Sequence, residues 1–378
     1  MDSKFETMNL EEEFDRGIIH VGNTERIQKV MKKAISGEAI KVGFIGGSIT
    51  AGAAATTPET CYAYLVYSWW KQKFGQSKVE YMNAGVGATT SKFGVARVDQ
   101  DLLHTEPDMV FAEFSVNDTD SDLFMETFEG LIRKILLHPK KPGLFMFNNV
   151  FYDDGHNAQR IHNMVGKYYD LPIVSIKESI YAEIEKGTLL NTDISGDNLH
   201  PNDFGHSLVA GVIIHLLEKI YESVSRGDTC TGEYQMPSKP LTANKYITSL
   251  RRYNKNTDPQ LGGFVKDEKV YSDPWNYFRN GWSAKAAGSN IRFEVEAAAI
   301  SIQYRKYANH PAPIAKAIID GKEEEAVILD ANFEETWGDC LYLQDIAIYD
   351  TVRLHTIEIV ITQAALDKEF YLASVITA

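Results

Sequence analysis

Through the first 225 positions, apolar residues alternate between helical spacing and short, nearly continuous runs. Ile27, Val30, Met31, Ala34 and Ile35 recur at three- and four-residue intervals. This predicts a helix opening at Asn23 or Thr24 and stopping at Gly37. The run 40–45 that follows reads as a strand, and a helix rich in aromatics extends from Tyr62 to about Phe74, closed by Gly75. Further strands are predicted at 79–82, 109–114, 144–147 and 173–176, with helices between them. A long amphipathic helix at 203–223 carries Leu208, Val209, Val212, Ile213, Leu216, Leu217 and Ile220. Strands separated by helices of this length imply a parallel sheet covered on both faces.

The rhythm breaks at 226–262, where Pro237, Pro240, Asn254, Asn256, Pro259, Gly262 and Gly263 read as a connector. Beyond it the period falls to two, at 291–295, 300–304 and 357–361. Asp320-Gly321 between apolar runs is a hairpin signal. The expected organisation is an α/β domain at 1–225, a connector at 226–262 and an all-β, jelly-roll-like sandwich at 263–378.

The 378 residues are enough for two cores, and an apolar fraction of 44% with 24% charged residues is ordinary for globular protein. A formal net charge of −14 without a basic cluster argues against nucleic acid and anionic membranes as partners. No apolar stretch approaches the roughly 20 residues that span a bilayer. The first seven residues lack the layout of a secretion signal. Cys61, Cys230 and Cys340 form neither a disulfide framework nor a zinc pattern. The expectation is a soluble, cytoplasmic protein.

Four segments carry chemistry. Gly46-Gly47-Ser48 follows the first strand, where a serine can be exposed at the carboxyl edge of a parallel sheet. Asn83 to Gly87 follows the second strand, and Val116-Asn117-Asp118 the third. Asp197-Asn198-Leu199-His200 places a carboxylate and an imidazole three residues apart, close enough for the acid to orient the base. Taken alone, a serine after a strand or an Asp-x-x-His turn is usually structural. His206 reads as a surface or packing residue, and Asp120 to Asp122 as a solvated helix cap rather than a calcium loop.

Together and in this order, the four segments resemble the blocks of the SGNH (GDSL-like) hydrolase family over about residues 38–222. The resemblance implies a flavodoxin-like three-layer fold with Ser48 as nucleophile, His200 as base and Asp197 as its orienting acid. The oxyanion would be held by the backbone N–H groups of Ser48 and Gly87 and by the Asn117 side chain, with Gly85 as the alternative to Gly87. No metal or cofactor is called for. One departure stands out: the first block reads Gly-Gly-Ser where the family name implies Gly-Asp-Ser.

The C-terminal module bears on the substrate. Trp275, Trp282 and Trp337 lie among glycine and polar residues, where an exposed indole offers a face for a sugar ring; the competing assignment is core packing. An SGNH domain followed by a sandwich is similar to intracellular carbohydrate acetylesterases, in particular the mannan O-acetylesterases of carbohydrate esterase family 17. That likeness implies an acetylated β-manno-oligosaccharide substrate, with the module, related to family 35 carbohydrate-binding modules, helping to clamp it. Trp337 and Trp282 are the candidate contacts. Acetylated xylan or pectin, a lipase, thioesterase or arylesterase activity, and a glycan-binding protein with a vestigial site are the competing readings. The aromatic segment 62–70 covers the sheet or supplies a subunit contact, which leaves a homodimer open.

Overall fold

The computed structural model describes residues 10–228, 232–270 and 277–378. The chain divides into two compact units, Met1–Ile247 and Thr248–Ala378. Cys230 and Trp275 lie outside the described residues.

The first unit is built on six strands: β1 (Ile18–His20), β2 (Ile40–Gly46), β3 (Val79–Gly85), β4 (Met109–Glu113), β5 (Gly143–Asn148) and β6 (Ile173–Ser175). They lie in the order β1-β6-β5-β4-β2-β3, all parallel except β1, which runs antiparallel on β6. The sequence pattern missed β1. It is three residues long on an edge, too short for periodicity to register.

Alternation along the strands decides which helices cover which face. Phe44, Phe111 and Phe145 are register partners on neighbouring strands, and their rings sit 4.8 and 5.4 Å apart in succession. They pack with helices Glu25–Ile35, Tyr62–Lys73 and Asp203–Ser225 in one core. The opposite face meets helices Ser91–Asp101, Asp122–Leu137 and Gln159–Tyr168, whose Val95, Val98, Leu131, Ile132 and Val165 are fully buried. Gly43 on that face has no room for a side chain, since a Cβ would approach Leu102 to 2.6 Å. No helix among the described residues is long and apolar enough to cross a membrane.

From β2 the chain passes to β3 on one flank, then crosses back to β4 on the other flank of β2 and continues outward to β5 and β6, so the direction reverses between β2 and β4. In open α/β sheets the crevice at such a reversal is where ligands bind.

The second unit is one antiparallel sheet folded over its own core. Its strands are β7 (Leu250–Arg252), β8 (Gln260–Gly262), β9 (Val265–Lys266), β10 (Trp282–Ala284), β11 (Asn290–Lys306), β12 (Ile314–Ile319), β13 (Val327–Asp330), β14 (Cys340–Gln363) and β15 (Phe370–Thr377). The segments 291–295 and 300–304, separate in the sequence pattern, are one strand with a register shift near Ala297. Up to Arg292 it pairs with β8, and from Ile300 with β15, while β14 follows its whole length. Residues from both halves share one core with β12 and β15, so the long strands turn the corner of a sandwich. Asp320 and Gly321 both have positive φ, which closes the β12–β13 hairpin where the sequence signals a turn.

The segment 226–262 is divided between the units. Tyr234 donates to Tyr169 O, and the N–H groups of Leu241 and Thr242 donate to Glu129, all within the first unit. Leu250–Arg252 and Gln260–Gly262 are strands of the second. Proline- and glycine-rich spacing marks irregular backbone but not which core it lies against.

Candidate active site

β2 ends at Gly46, and the chain turns through Gly47 into a four-residue helix, Ser48–Ala51. Ser48 is its first residue, so its N–H has no intrahelical acceptor. Glycine is required twice here. A Cβ at Gly46 would fall 2.1 Å from Thr50 Oγ1, and one at Gly47 would fall 2.2 Å from Asn117 Oδ1. The Gly-Gly-Ser departure therefore has a local cause: the Asn117 amide sits where a side chain at position 47 would go.

His200 comes from the turn that precedes the Asp203–Ser225 helix. Asn202 caps that helix by accepting from Gly205 N–H at 2.9 Å. Asn198 takes a left-handed conformation (φ 65°), which asparagine tolerates, and so folds Asp197 back under His200. The result is a linear array. Ser48 Oγ lies 2.8 Å from His200 Nε2, and His200 Nδ1 lies 2.6 Å from Asp197 Oδ2.

Asp197 Oδ1 accepts from His200 N–H at 2.7 Å, Leu199 N–H at 3.0 Å and Ser195 Oγ–H at 3.0 Å. Partial burial works to raise this carboxyl's pKa. The bonds from the His200 ring and from the backbone of His200 and Leu199 outweigh burial and hold it at about 2. A permanently ionised acid on Nδ1 keeps the proton there and leaves Nε2 free to accept from the serine.

The turn after β3 is tied to the end of β2 by Val86 N–H donating to Gly46 O at 3.1 Å. Gly85 N–H is already taken by Asn83 Oδ1 at 2.8 Å, and Gly85 is packed under Ala51, whose N lies 2.3 Å from where its Cβ would be. Gly87 N–H makes no hydrogen bond among the described residues. Asn117 Oδ1 is buried against Gly47 without a hydrogen-bond partner among the described residues, which leaves the amide nitrogen to face outward. Among the described residues Ser48 N–H, Gly87 N–H and Asn117 Nδ2 are thus unused donors, on the three segments that meet at the end of β2.

Several residues that organise the site escaped the sequence reading. Arg97 is completely buried; its guanidinium donates to Ala84 O at 2.7 Å and Gly46 O at 3.1 Å, clamping the ends of β3 and β2. The available signal was one arginine among Phe93, Val95, Ala96 and Val98. Tyr152 N–H donates to Asn198 O at 2.7 Å and steadies the histidine turn. Asp203 accepts from Thr56 N–H at 2.8 Å and from the hydroxyls of Thr56 and Thr60 at 2.6 Å, anchoring the exposed loop that follows Ser48.

His206 is buried, taking Tyr62 N–H at 3.3 Å on Nδ1 and facing Ala53 O at 3.1 Å with Nε2. Both contacts require the neutral ring protonated on Nε2. Burial lowers its pKa to about 4. The unfolded chain takes up this proton near the ordinary histidine pKa and the folded chain only near 4, so stability falls as pH drops between those values. Urea unfolding from pH 7 to pH 4 should show this slope, worth at most about 3 kcal/mol, and His206→Gln should flatten it.

The tryptophans part company. Trp282 is fully buried in the core of the second unit, edge-on to Phe293 at 5.3 Å, because its place on β10 points inward. It therefore offers no face to a sugar, correcting the expected contact. Trp337 is 57% exposed, backed by Phe333 at 5.0 Å, with its N–H on Glu335 at 2.6 Å.

Residues 44–208 match the model of the GDSL-like lipase/acylhydrolase family. The chain is similar to a two-domain esterase (CEX) active on acetylated mannans, whose crystal structure with mannopentaose superposes with a TM-score of 0.91 at 45% identity, covering 96% of this chain and 97% of that one. A second crystal structure of a two-domain esterase (CEX) active on acetylated mannans gives a TM-score of 0.92 at 45% identity, covering 96% of this chain and 98% of that one. An acetylxylan esterase of Geobacillus stearothermophilus is 22% identical over 202 residues, which are 46% of this chain and 92% of that protein. With the four blocks converging at the end of β2 and nearly the whole chain matched at this identity, the protein belongs to the GDSL-like lipase/acylhydrolase family and is a carboxylic-ester hydrolase.

Proposed function

We propose that the protein removes O-acetyl groups from β-manno-oligosaccharides through an acetyl-Ser48 intermediate. The observation that carries the mechanism is the Ser48–His200–Asp197 array, with contacts of 2.8 and 2.6 Å. His200 Nε2 takes the Ser48 proton as Oγ attacks the acetyl carbonyl. Charge developing on the carbonyl oxygen is met by Ser48 N–H, Gly87 N–H and Asn117 Nδ2. The protonated imidazole, stabilised by ionised Asp197, gives its proton to the departing sugar hydroxyl. Water activated by the same nitrogen then releases acetate.

Asn117→Ala should lower kcat by about 10²–10³ with KM little changed, because the donor strengthens its bond only as the oxyanion forms. Steady-state kinetics on an aryl acetate reads this directly. Equal losses in binding and turnover would assign Asn117 to substrate holding instead.

The sugar assignment is supported by similarity across both units to an esterase active on acetylated mannans. The acetylxylan relative aligns with under half of this chain, so xylan is the second reading. Acetate release from acetylated mannan, xylan and pectin oligomers, with mass spectrometry of the products, decides between them. Mannan should be preferred, and acetyl over longer acyl chains; a preference for xylan or pectin would overturn the assignment.

The second unit serves in this reading as a carbohydrate-binding module with Trp337 as its contact. Trp337→Ala should raise KM several-fold on acetylated oligosaccharide and leave a small aryl acetate untouched. Proportional losses on both would end the binding role. The imported oligosaccharide would be deacetylated in the cytoplasm.

A further inference from the structure

Behind Ser48, at the sheet's carboxyl edge, Thr50, Tyr62, Glu113, Asn149 and Tyr152 are all buried. Thr50 and Tyr62 satisfy each other at 2.8 Å. Glu113 Oε2 and the Tyr152 hydroxyl have no hydrogen-bond partner among the described residues, and the Asn149 amide lies beside Glu113. Glu113 is the last residue of β4 and the register partner of Gly46. The ester-hydrolysis mechanism assigns it no part, yet burying an unpaired carboxylate is costly.

Counting hydrogens defines its state. Glu113 Oε1 lies 2.6 Å from Ser115 N and 2.7 Å from Ser115 Oγ. Ser115 Oγ also lies 2.9 Å from Asn149 O. A carbonyl and a carboxylate oxygen only accept, so the single Ser115 hydroxyl hydrogen fills one of the two contacts, while Asn149 O also accepts from Asn157 Nδ2 at 2.7 Å. Filling the other contact needs a second hydrogen. An ionised Glu113 has none to give and would leave one of the two oxygen pairs facing each other bare. A protonated Oε1 donates to Oγ and still accepts from the Ser115 N–H.

We propose that Glu113 is a positioning residue for the oxyanion pocket, a neutral carboxylic acid whose two bonds to Ser115 fix the turn 114–118 and with it the Asn117 amide. Burial pushes its pKa up, and the bonds from Ser115, the nearby His162 ring and the Asn149 side chain only partly offset this. His162 from helix Gln159–Tyr168, Tyr62 from helix Tyr62–Lys73 and Tyr152 after β5 surround it, with no lysine or arginine among them. The other end of the turn is held by Asp118, which accepts from Ser91 N–H at 2.8 Å and faces His162 Nε2 at 3.0 Å. Asn117 is thereby braced on both sides.

The inference rests on Asn117 serving as an oxyanion donor, and the test separates the two. Glu113→Gln, Glu113→Ala, Asn117→Ala and the double variant Glu113→Ala/Asn117→Ala are compared for kcat and KM on an aryl acetate. An infrared difference spectrum of wild type against Glu113→Gln is recorded at neutral pH. The wild type should show the C=O stretch of a protonated carboxyl, lost in Glu113→Gln. Glu113→Ala should lose about tenfold in kcat at nearly constant KM, and this loss should vanish in the Asn117→Ala background. If Glu113→Ala does not fold, Glu113→Gln, neutral but one hydrogen bond poorer, should show a smaller loss cancelled in the same way. Absence of the band, or a Glu113 loss that adds in full to that of Asn117→Ala, would overturn the proposal. A wild-type kcat in Asn117→Ala would instead remove the oxyanion role, and the positioning role with it, while the band would still report the Glu113 proton.

Discussion

Ser48→Ala should abolish ester hydrolysis, with kcat falling by about a million-fold while the protein stays folded. In the proposed mechanism the hydroxyl, 2.8 Å from His200 Nε2, is the atom that forms the acetyl-enzyme bond. The fold should tolerate the change because the short helix that Ser48 opens is held by Arg97 and Asn83 rather than by the hydroxyl. Arg97 grips Gly46 O, and Asn83 Nδ2 donates to Thr50 O at 2.7 Å. Circular dichroism should therefore match wild type. Quenching a wild-type reaction on an aryl acetate and analysing the peptide containing Ser48 should reveal one added acetyl group. Residual activity above about one part in a thousand with the hydroxyl gone would point to direct attack by water and end the covalent mechanism.

The second large effect belongs to Asp197. Asp197→Asn should cost about 10⁴ in kcat, less than loss of Ser48, because the amide reverses the tautomer that His200 needs while the rest of the site stays in place. Combining Ser48→Ala with His200→Ala should be no worse than Ser48→Ala alone, since the array works as one unit.

The acid's depressed pKa of about 2 carries a further consequence. Asp197 stays ionised down to that pH, so no inflection in a pH–rate profile above about pH 4 belongs to it. For stability the sign follows the same way. Its bonds contribute fully above the ordinary carboxylate pKa and are lost only as pH falls toward 2. A profile measured from pH 4 to 9 on an aryl acetate checks this; a limb that moves with substitutions of Ser195, which bonds Asp197 through Oδ1 and the backbone N–H, would contradict it.

The amino-acid sequence by itself determined the α/β alternation, the switch to period two, the four blocks and their order. These signals are local. Helical and strand spacing follow from side-chain periodicity, and a serine, an amide, an acid and a base at strand ends need only short segments to be visible. The Asp320-Gly321 turn was legible for the same reason, because two successive positive φ angles select those residue types.

Tertiary structure decided the rest, since it depended on which distant segments meet. No spacing rule distinguishes Gly85 from Gly87; the Asn83 side chain does, by occupying one N–H and leaving the other unused. The buried guanidinium of Arg97 became meaningful only once two strand ends presented carbonyls to it. Trp282 and Trp337 look alike in sequence, yet one is core and the other exposed, because Trp282 sits on β10 with its side chain in the core while Trp337 lies in the loop between β13 and β14. Glu113 ends an apolar strand, and its proton is readable only where Ser115 and Asn149 close around it. Covalent neighbours fix what each segment can do; packing fixes which donors and acceptors remain free to act on a substrate.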